Sequence, residues 1–225
     1  MPPATNARAA TKAATRDALL DAALAEIAER GLDAPSLDAI CARAGYTRGA
    51  FYVHFKDRDA LLAAVVQRAM DRFLDAMIAH GDRAHDLEET ITRFATVVDA
   101  SGDTTRRRAI LPIPSAVPFA RVLDAVSRSP RLREGFAATL NTASERLTET
   151  VVDGQKARAL RRDIDAPPLA TVLVALALGC LTAMDAGLRI EAEAARATIL
   201  RLLQAETSSR ANRAAAPRRG RRSRR

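Results

Sequence analysis

Apolar residues recur at helical spacing along most of this chain, and the interval 36–56, SLDAICARAGYTRGAFYVHFK, organises the rest. Leu37, Ile40, Cys41 and Ala44 stand at i, i+3, i+4 and i+7, one stripe of one short helix. Ser36 precedes the stripe, where a side-chain oxygen can cap free N–H groups. Gly45 follows it and tolerates the positive φ of a helix stop. Thr47 is a second N-cap, and a second short helix is predicted from Arg48 to His54. Phe51 and Phe55, four apart, pin that helix to a core, while Arg48 and Tyr52, also four apart, share a neighbouring stripe.

The same periodicity predicts a first helix over 16–30, with Leu20, Leu24 and Ile27 inward beside Leu19 and Ala23, ended by Gly31. Asp57 caps a long helix reaching about Ala79, closed by His80 and Gly81. Its apolar columns (61, 65, 69, 73, 77 and 62, 66, 70, 74, 78) step by four. Steps of four drift by roughly 40° each around a helix of 3.6 residues per turn. The two ends are therefore expected to face different partners: the two short helices over 36–56 first, the following domain second. Further helices are predicted over 86–99 (Ile91, Phe94, Ala95 and Val98 inward), 120–128, 130–154, 169–186 and 190–205 (Ile199, Leu202 and Leu203 inward).

Helix, glycine turn, helix is the layout in which a second helix enters the DNA major groove with its N-terminal end leading. Arg48 suits guanine edges or phosphate, while Tyr52, His54 and Lys56 suit phosphates. Gly49 is informative, because glycine within a helix costs about 1 kcal/mol relative to alanine. A backbone that approaches DNA closely gives a reason to keep it.

The segment AGYTRGAFYVHFKDRDALL (44–62) resembles the DNA-reading signature of the TetR/AcrR family of bacterial transcriptional repressors. The spacing of Gly45, Thr47, Phe51, Tyr52, His54, Phe55 and Leu61 carries the likeness, and the run 15–31 resembles that family's first helix. The strong resemblance covers residues 15–78; beyond them only the layout agrees. It implies base-edge positions at Arg48, Gly49, Ala50, Tyr52 and Val53, and phosphate positions at Thr47, Tyr52, His54 and Arg58. Ser36 and Lys56 complete the expected DNA-binding set. Two departures stand out: Tyr46 where a small aliphatic residue is commoner, and Arg58 in place of the usual lysine, a fork for a point charge. The resemblance also implies that the last two helices build a homodimer's four-helix bundle.

Composition supports an all-α fold: Ala, Leu and Arg abound and β-branched runs are scarce in these 225 residues. The expected organisation is an arm over 1–14, a helix-turn-helix domain over 15–58, a helical ligand-binding and dimerisation domain over 59–206, and an irregular tail over 207–225. The formal charge of +8 belongs to that tail. Eight of the 35 basic residues fall in 210–225 with no acid, which leaves 27 basic against 27 acidic side chains elsewhere. The tail can raise non-specific DNA affinity in a salt-dependent way, and an architectural, non-specific DNA-binding protein is the rival reading. The arm, with Arg8, Lys12 and Arg16, is open to two readings: a solvated tail or a contact to phosphate and minor groove.

The run 166–184 is uncharged and approaches a membrane span in length, but Pro167, Pro168, Thr171 and Thr182 favour a helix packed at a dimer interface. No apolar leader opens the chain, and a cytoplasmic location is expected. Cys41 and Cys180 read as buried small hydrophobes, and His80 and His85 as surface residues rather than ligands. Neither a catalytic constellation nor a phosphate-cradling loop emerges, so no enzyme, metal or cofactor is expected.

A small-molecule effector is expected in an apolar cavity of the domain from about Ile91 to Met184. The candidate contacts are Phe94, Phe119, Phe136, Met184 and Asp185, the phenylalanines being equally plain core. Asp185, an acid closing an apolar run, is open to facing water or binding a helix end. The segment 110–119, broken by prolines 112, 114 and 118, reads as a pocket border, a hinge or a buried connector, and Arg106–Arg108 as a phosphate contact or a solvated run.

Overall fold

The computed structural model describes residues 4–31, 36–78, 86–100 and 118–204. Their regular structure is helical apart from one isolated bridge between Leu160 and Gln204, so the fold is all-α. In order they form α1 (Ala4–Arg30), α2 (Leu37–Ala44), α3 (Arg48–His54), α4 (Arg58–Met77) and α5 (Leu87–Asp99). There follow α6 (Phe119–Arg128), α7 (Pro130–Lys156), α8 (Ala166–Asp185) and α9 (Ala192–Leu203).

Side chains set several boundaries. Ser36 and Thr47 accept hydrogen bonds from the N–H groups of Ala39 and Ala50, and Asp57 and Asp86 do the same for α4 and α5. Gly45 stops α2 at φ 74°, with its own N–H on the Ala42 carbonyl and that of Tyr46 on Cys41. These are the two crossed bonds of a left-handed helix stop. Pro130 sits in the first turn of α7, where its missing N–H is no loss.

Two apolar cores result. The first joins Leu19, Leu20, Ala23 and Ile27 of α1 to Ile40, Cys41, Phe51, Phe55 and the α4 residues Leu61 and Val65. The second gathers Leu74, Met77 and Ile78 around Leu87, Val97, Ala143, Leu147, Val151, Leu169, Ala170 and Leu203. The drift of the apolar stripe along α4 thus takes its N-terminal half into one core and its C-terminal half into the other. Ion pairs fasten both halves: Arg68 to Asp17 of α1 at 2.8 Å, and Arg146 of α7 to Asp75 at 2.7 Å.

Three expectations are corrected. The first helix begins at Ala4 rather than near Arg16, so the stretch 4–14 is helical and not an irregular arm. Alanine, lysine and arginine are strong helix formers, and a helix nucleated by the packed residues 15–27 extends at propagation cost alone. Leu202 is 62% exposed rather than inward, because the buried side of α9 runs through Ala192, Ile199 and Leu203 and residue 202 lies about 100° away from residue 203. Cys180 is half-buried rather than core, while Cys41 is buried, and both are unbonded thiols. The readings placed on residues 79–85 (His80, Gly81 and His85), on 101–117 with Arg106–Arg108 and two of the three prolines of the apolar segment, and on the tail from 205 onward lie outside the described residues.

Candidate nucleic-acid interface and cavity

The fully buried Phe51 and the nearly buried Phe55 hold α3 against α1 and α2, with ring centroids 5.5 Å apart. That anchoring turns the opposite side of α3 outward. Tyr52 is 57% and Val53 64% exposed. Ser36, Thr47, Arg48, Gly49 and Lys56 are exposed too, whereas Ala50, His54 and Arg58 are half-buried. The expected DNA-binding residues are thus exposed or half-buried positions on α3, its flanks and the start of α2. The hydroxyl oxygens of Ser36 and Thr47 are used as helix caps, each of which leaves its O–H able to donate outward.

Space does not dictate Gly49. A methyl group there would meet its nearest atom, Thr47 Oγ1, at an ordinary 3.6 Å, and the backbone is helical. Folding alone leaves glycine unexplained.

Arg48 has a partner that spacing did not suggest. Its Nη2 donates to Asp38 Oδ2 at 2.6 Å while Nε donates to Oδ1, a two-pronged pair from α3 to the first turn of α2. Both side chains are more than half exposed, so the pair is worth roughly 0–1 kcal/mol and yields readily to a competing acceptor. The first helix also reaches this surface. Arg16 lies over the Phe55 ring, 5.5 Å from its centroid. Partial burial, with the charges of Lys12 and Arg16, holds the His54 imidazole below its ordinary value. The α1 to α2 contact is fixed by the buried Glu26, which accepts from Arg43 Nε at 2.8 Å.

Behind this surface lies an apolar cavity of about 260 Å³. Its walls come from α1 (Leu24, Ile27), the length of α4 from Val65 to Met77, α5, α6, α7, α8 and α9. Of the candidate ligand contacts, Phe94, Phe119, Met184 and Asp185 line this cavity, whereas Phe136 does not. Phe136 stands behind Phe119, ring centroids 6.4 Å apart, and supports that wall. Asp185 resolves its two readings toward the helix end: Oδ2 accepts from Ala120 N–H at 2.8 Å. Thr90 and Thr139 were missed. Each interrupts an apolar stripe at helical spacing, Thr90 between Leu87 and Phe94 and Thr139 between Phe136 and Ala143, and that interruption was the available signal.

Helix α8 is long and apolar enough to cross a membrane by length and composition, with a mean hydropathy of 1.9, yet only 11% of that window is buried. Val172, Leu176 and Gly179 are exposed along one side.

Residues 19–65 match the family model described as "Bacterial regulatory proteins, tetR family". The chain is 35% identical over 87 residues to the uncharacterized HTH-type transcriptional regulator YvdT of Bacillus subtilis, covering 39% of this chain and 41% of that protein. It is 36% identical over 87 residues to the HTH-type transcriptional repressor BepR of Brucella suis, covering 36% and 42%. These matches span about two fifths of each relative's length. Over more of the chain the fold is similar to that of SmeT in complex with triclosan, at 26% identity and a TM-score of 0.57, covering 86% of this chain and 93% of that one. SmeT is the repressor of the Stenotrophomonas maltophilia multidrug efflux pump SmeDEF. Through residues 19–65 the chain is thus similar to the tetR family of bacterial regulatory proteins, and its fold is similar to that of SmeT.

Proposed function

We propose that the protein is a cytoplasmic, sequence-specific transcriptional repressor. In this reading a homodimer binds a palindromic operator and a small, largely apolar molecule releases it. The observation that carries the reading is the double membership of α4. Its first turns complete the core beneath α3, and its length from Val65 to Met77 walls the cavity. An occupant of the cavity therefore bears on the element that sets the attitude of α3. Couplings of this kind are typically about 1–3 kcal/mol, enough for a useful change in operator affinity.

In a dimer two copies of α3 would enter successive major grooves, about 34–36 Å apart. Arg48 would exchange Asp38 for a guanine edge, Tyr52 and Val53 would meet bases, and His54, Lys56 and Arg58 would meet phosphates. Lys12 and Arg16 favour the phosphate reading of the first helix, since both act on His54 or Phe55 beside α3. The exposed apolar side of α8 supports dimerisation through the last two helices. The relatives support repression and ligand response: BepR is named a repressor, and SmeT was solved with triclosan.

The test is a footprint on the upstream DNA of the protein's own gene, and on genomic fragments, with protein truncated after Thr207. Protection of a short palindrome, lost with Tyr52→Ala, is expected. Diffuse coating by the full-length chain, with no protection by the truncated one, would replace the reading by tail-driven, non-specific binding.

A further inference from the structure

The polar side chains lining the cavity are few: Thr90, Thr139, Cys180, Asp185 and Arg196 among the described residues. Most are already engaged. Arg196 Nη2 and Nε hold Glu193 at 2.7 and 2.9 Å, with Glu88 at 3.8 Å from Nη1. Asp185 is exposed and gives Oδ2 to the N-terminus of α6. Thr139 Oγ1 accepts from Gln67 Nε2 at 2.8 Å and lies 3.2 Å from the Gly135 carbonyl to which it donates. Burial pushes the Cys180 thiol up, which keeps it protonated and a weak partner.

Thr90 differs. It is 7% exposed, and its Oγ1 is buried with no hydrogen-bond partner. A buried hydroxyl left unsatisfied is a standing cost that folded proteins avoid unless something else completes it. Here it stands in the wall of an apolar cavity, on the side of α5 shared by Ile91 and Phe94.

We propose that the effector is a neutral, mostly apolar molecule with one hydroxyl group that pairs with Thr90 Oγ1; the proposal rests on the cavity being the effector site. Neutrality follows from Arg196 and Asp185 being committed to their own partners. A hydroxyl fits because Thr90 offers both an empty donor and an empty acceptor. The apolar walls supply most of the affinity, and Thr90 distinguishes one hydrophobe from another.

The test is calorimetric titration of the full-length protein with 4-tert-butylphenol, its methyl ether 4-tert-butylanisole, and the corresponding trimethylammonium cation. The phenol is expected to bind about tenfold tighter than the ether, the size of one well-made hydrogen bond. Thr90→Val should bring the two together by weakening the phenol more than the ether, and the ether's continued binding shows that the variant is folded. Thr90→Ser should keep the preference. Equal binding of phenol and ether by the wild type, a preference that survives in Thr90→Val, or a tighter cation overturns the Thr90 proposal and leaves the cavity standing. If none of the compounds binds a protein that still footprints its operator, the effector-cavity reading falls and the proposal with it.

Discussion

Asp185, the last residue of α8, accepts a hydrogen bond from the backbone N–H of Ala120 at 2.8 Å, so the acid that closes the most apolar helix also caps the start of α6. Pro118, at the cap position of α6, makes no side-chain cap bond, and the cap arrives from 65 residues downstream. A carboxylate at a helix N-terminus meets both unpaired N–H groups and the positive end of the helix dipole. Because Phe119 and Val122 of α6 wall the cavity, this one bond fixes part of the cavity's shape. Asp185→Ala should lower stability by about 0.5–2 kcal/mol, the usual worth of an N-cap. Asp185→Asn should keep most of it. Thermal melts of the two variants check this, and equal losses would show that hydrogen-bond geometry is not what Asp185 supplies.

Much of this was legible in the sequence, and the rest was hidden for identifiable reasons. The helix-turn-helix emerged residue by residue because Ser36, Gly45 and Thr47 are local signals: each acts on backbone within four positions of itself. The two-sided role of α4 was legible because a stripe with a period of four must turn around the helix. The Asp38–Arg48 and Asp185–Ala120 contacts were not, since nothing in the spacing of 10 or 65 residues marks them as neighbours. The start of α1 was hidden because alanine, threonine, proline and asparagine over 1–14 read as loop composition, while a helix anchored from behind extends back to Ala4. Phe136 shows a further limit: periodicity places a phenylalanine inward but does not say whether it reaches a cavity or backs the residue that does.

Gly49 separates folding from function. The site accepts a methyl group without strain, and alanine loses less backbone entropy than glycine in a helix. Gly49→Ala should therefore stabilise the free protein by about 0.5–1 kcal/mol. If the backbone of α3 lies close to DNA, the same change should weaken operator binding. Denaturant unfolding and a binding isotherm on one preparation check both halves. A variant that is stabilised yet binds DNA unchanged would remove Gly49 from the interface.

The two hydroxyls of the cavity wall should respond oppositely when each becomes valine. Thr139 is satisfied by Gln67 and Gly135, so Thr139→Val leaves Gln67 with Asp71 alone and should cost about 1–2 kcal/mol. Thr90 has no partner to lose, and Thr90→Val should leave stability unchanged or raise it. For a chain of this length 1 kcal/mol moves Tm by about 2–4 °C, within reach of a thermal melt. Loss of stability in Thr90→Val equal to that in Thr139→Val would mean that the Thr90 hydroxyl has a partner in solution.

His54 should make stability and DNA affinity respond to pH in opposite directions. Burial, Lys12 and Arg16 depress its pKa in the free protein below the ordinary value near 6.5. Between the depressed and ordinary values the unfolded chain binds more protons than the folded one. The His54 contribution to stability is thus complete above about 6.5 and declines as pH falls through that window. A DNA phosphate beside the imidazole would raise the pKa again, so the complex would take up a proton and operator affinity should increase as pH is lowered from 8 to 6. His54→Gln, which keeps a donor but does not titrate, should abolish this residue's share of both slopes. Affinities measured at low, constant ionic strength across that range decide the matter. An affinity that falls on acidification, or a slope equal in wild type and His54→Gln, would show that no phosphate meets His54.

Gly179 tests the dimer without disturbing the protomer. Nothing lies within 4 Å of a methyl group built there, and it shares a side of α8 with the exposed Val172 and Leu176. A second copy of α8 packed on that side would approach most closely at the glycine, since a residue without a side chain lets two helix axes draw together. Gly179→Gln should leave the helical content of the protomer intact. It should still raise the dimer dissociation constant by an order of magnitude or more, because an extended polar side chain would be driven into an apolar contact. Sedimentation equilibrium gives the constant directly. The same variant should bind a single half-site about as well as wild type while losing the palindrome, since two-site avidity requires both protomers. An unchanged dissociation constant would move the dimer contact away from this side of α8 and leave its exposed valine and leucine to be explained by another partner.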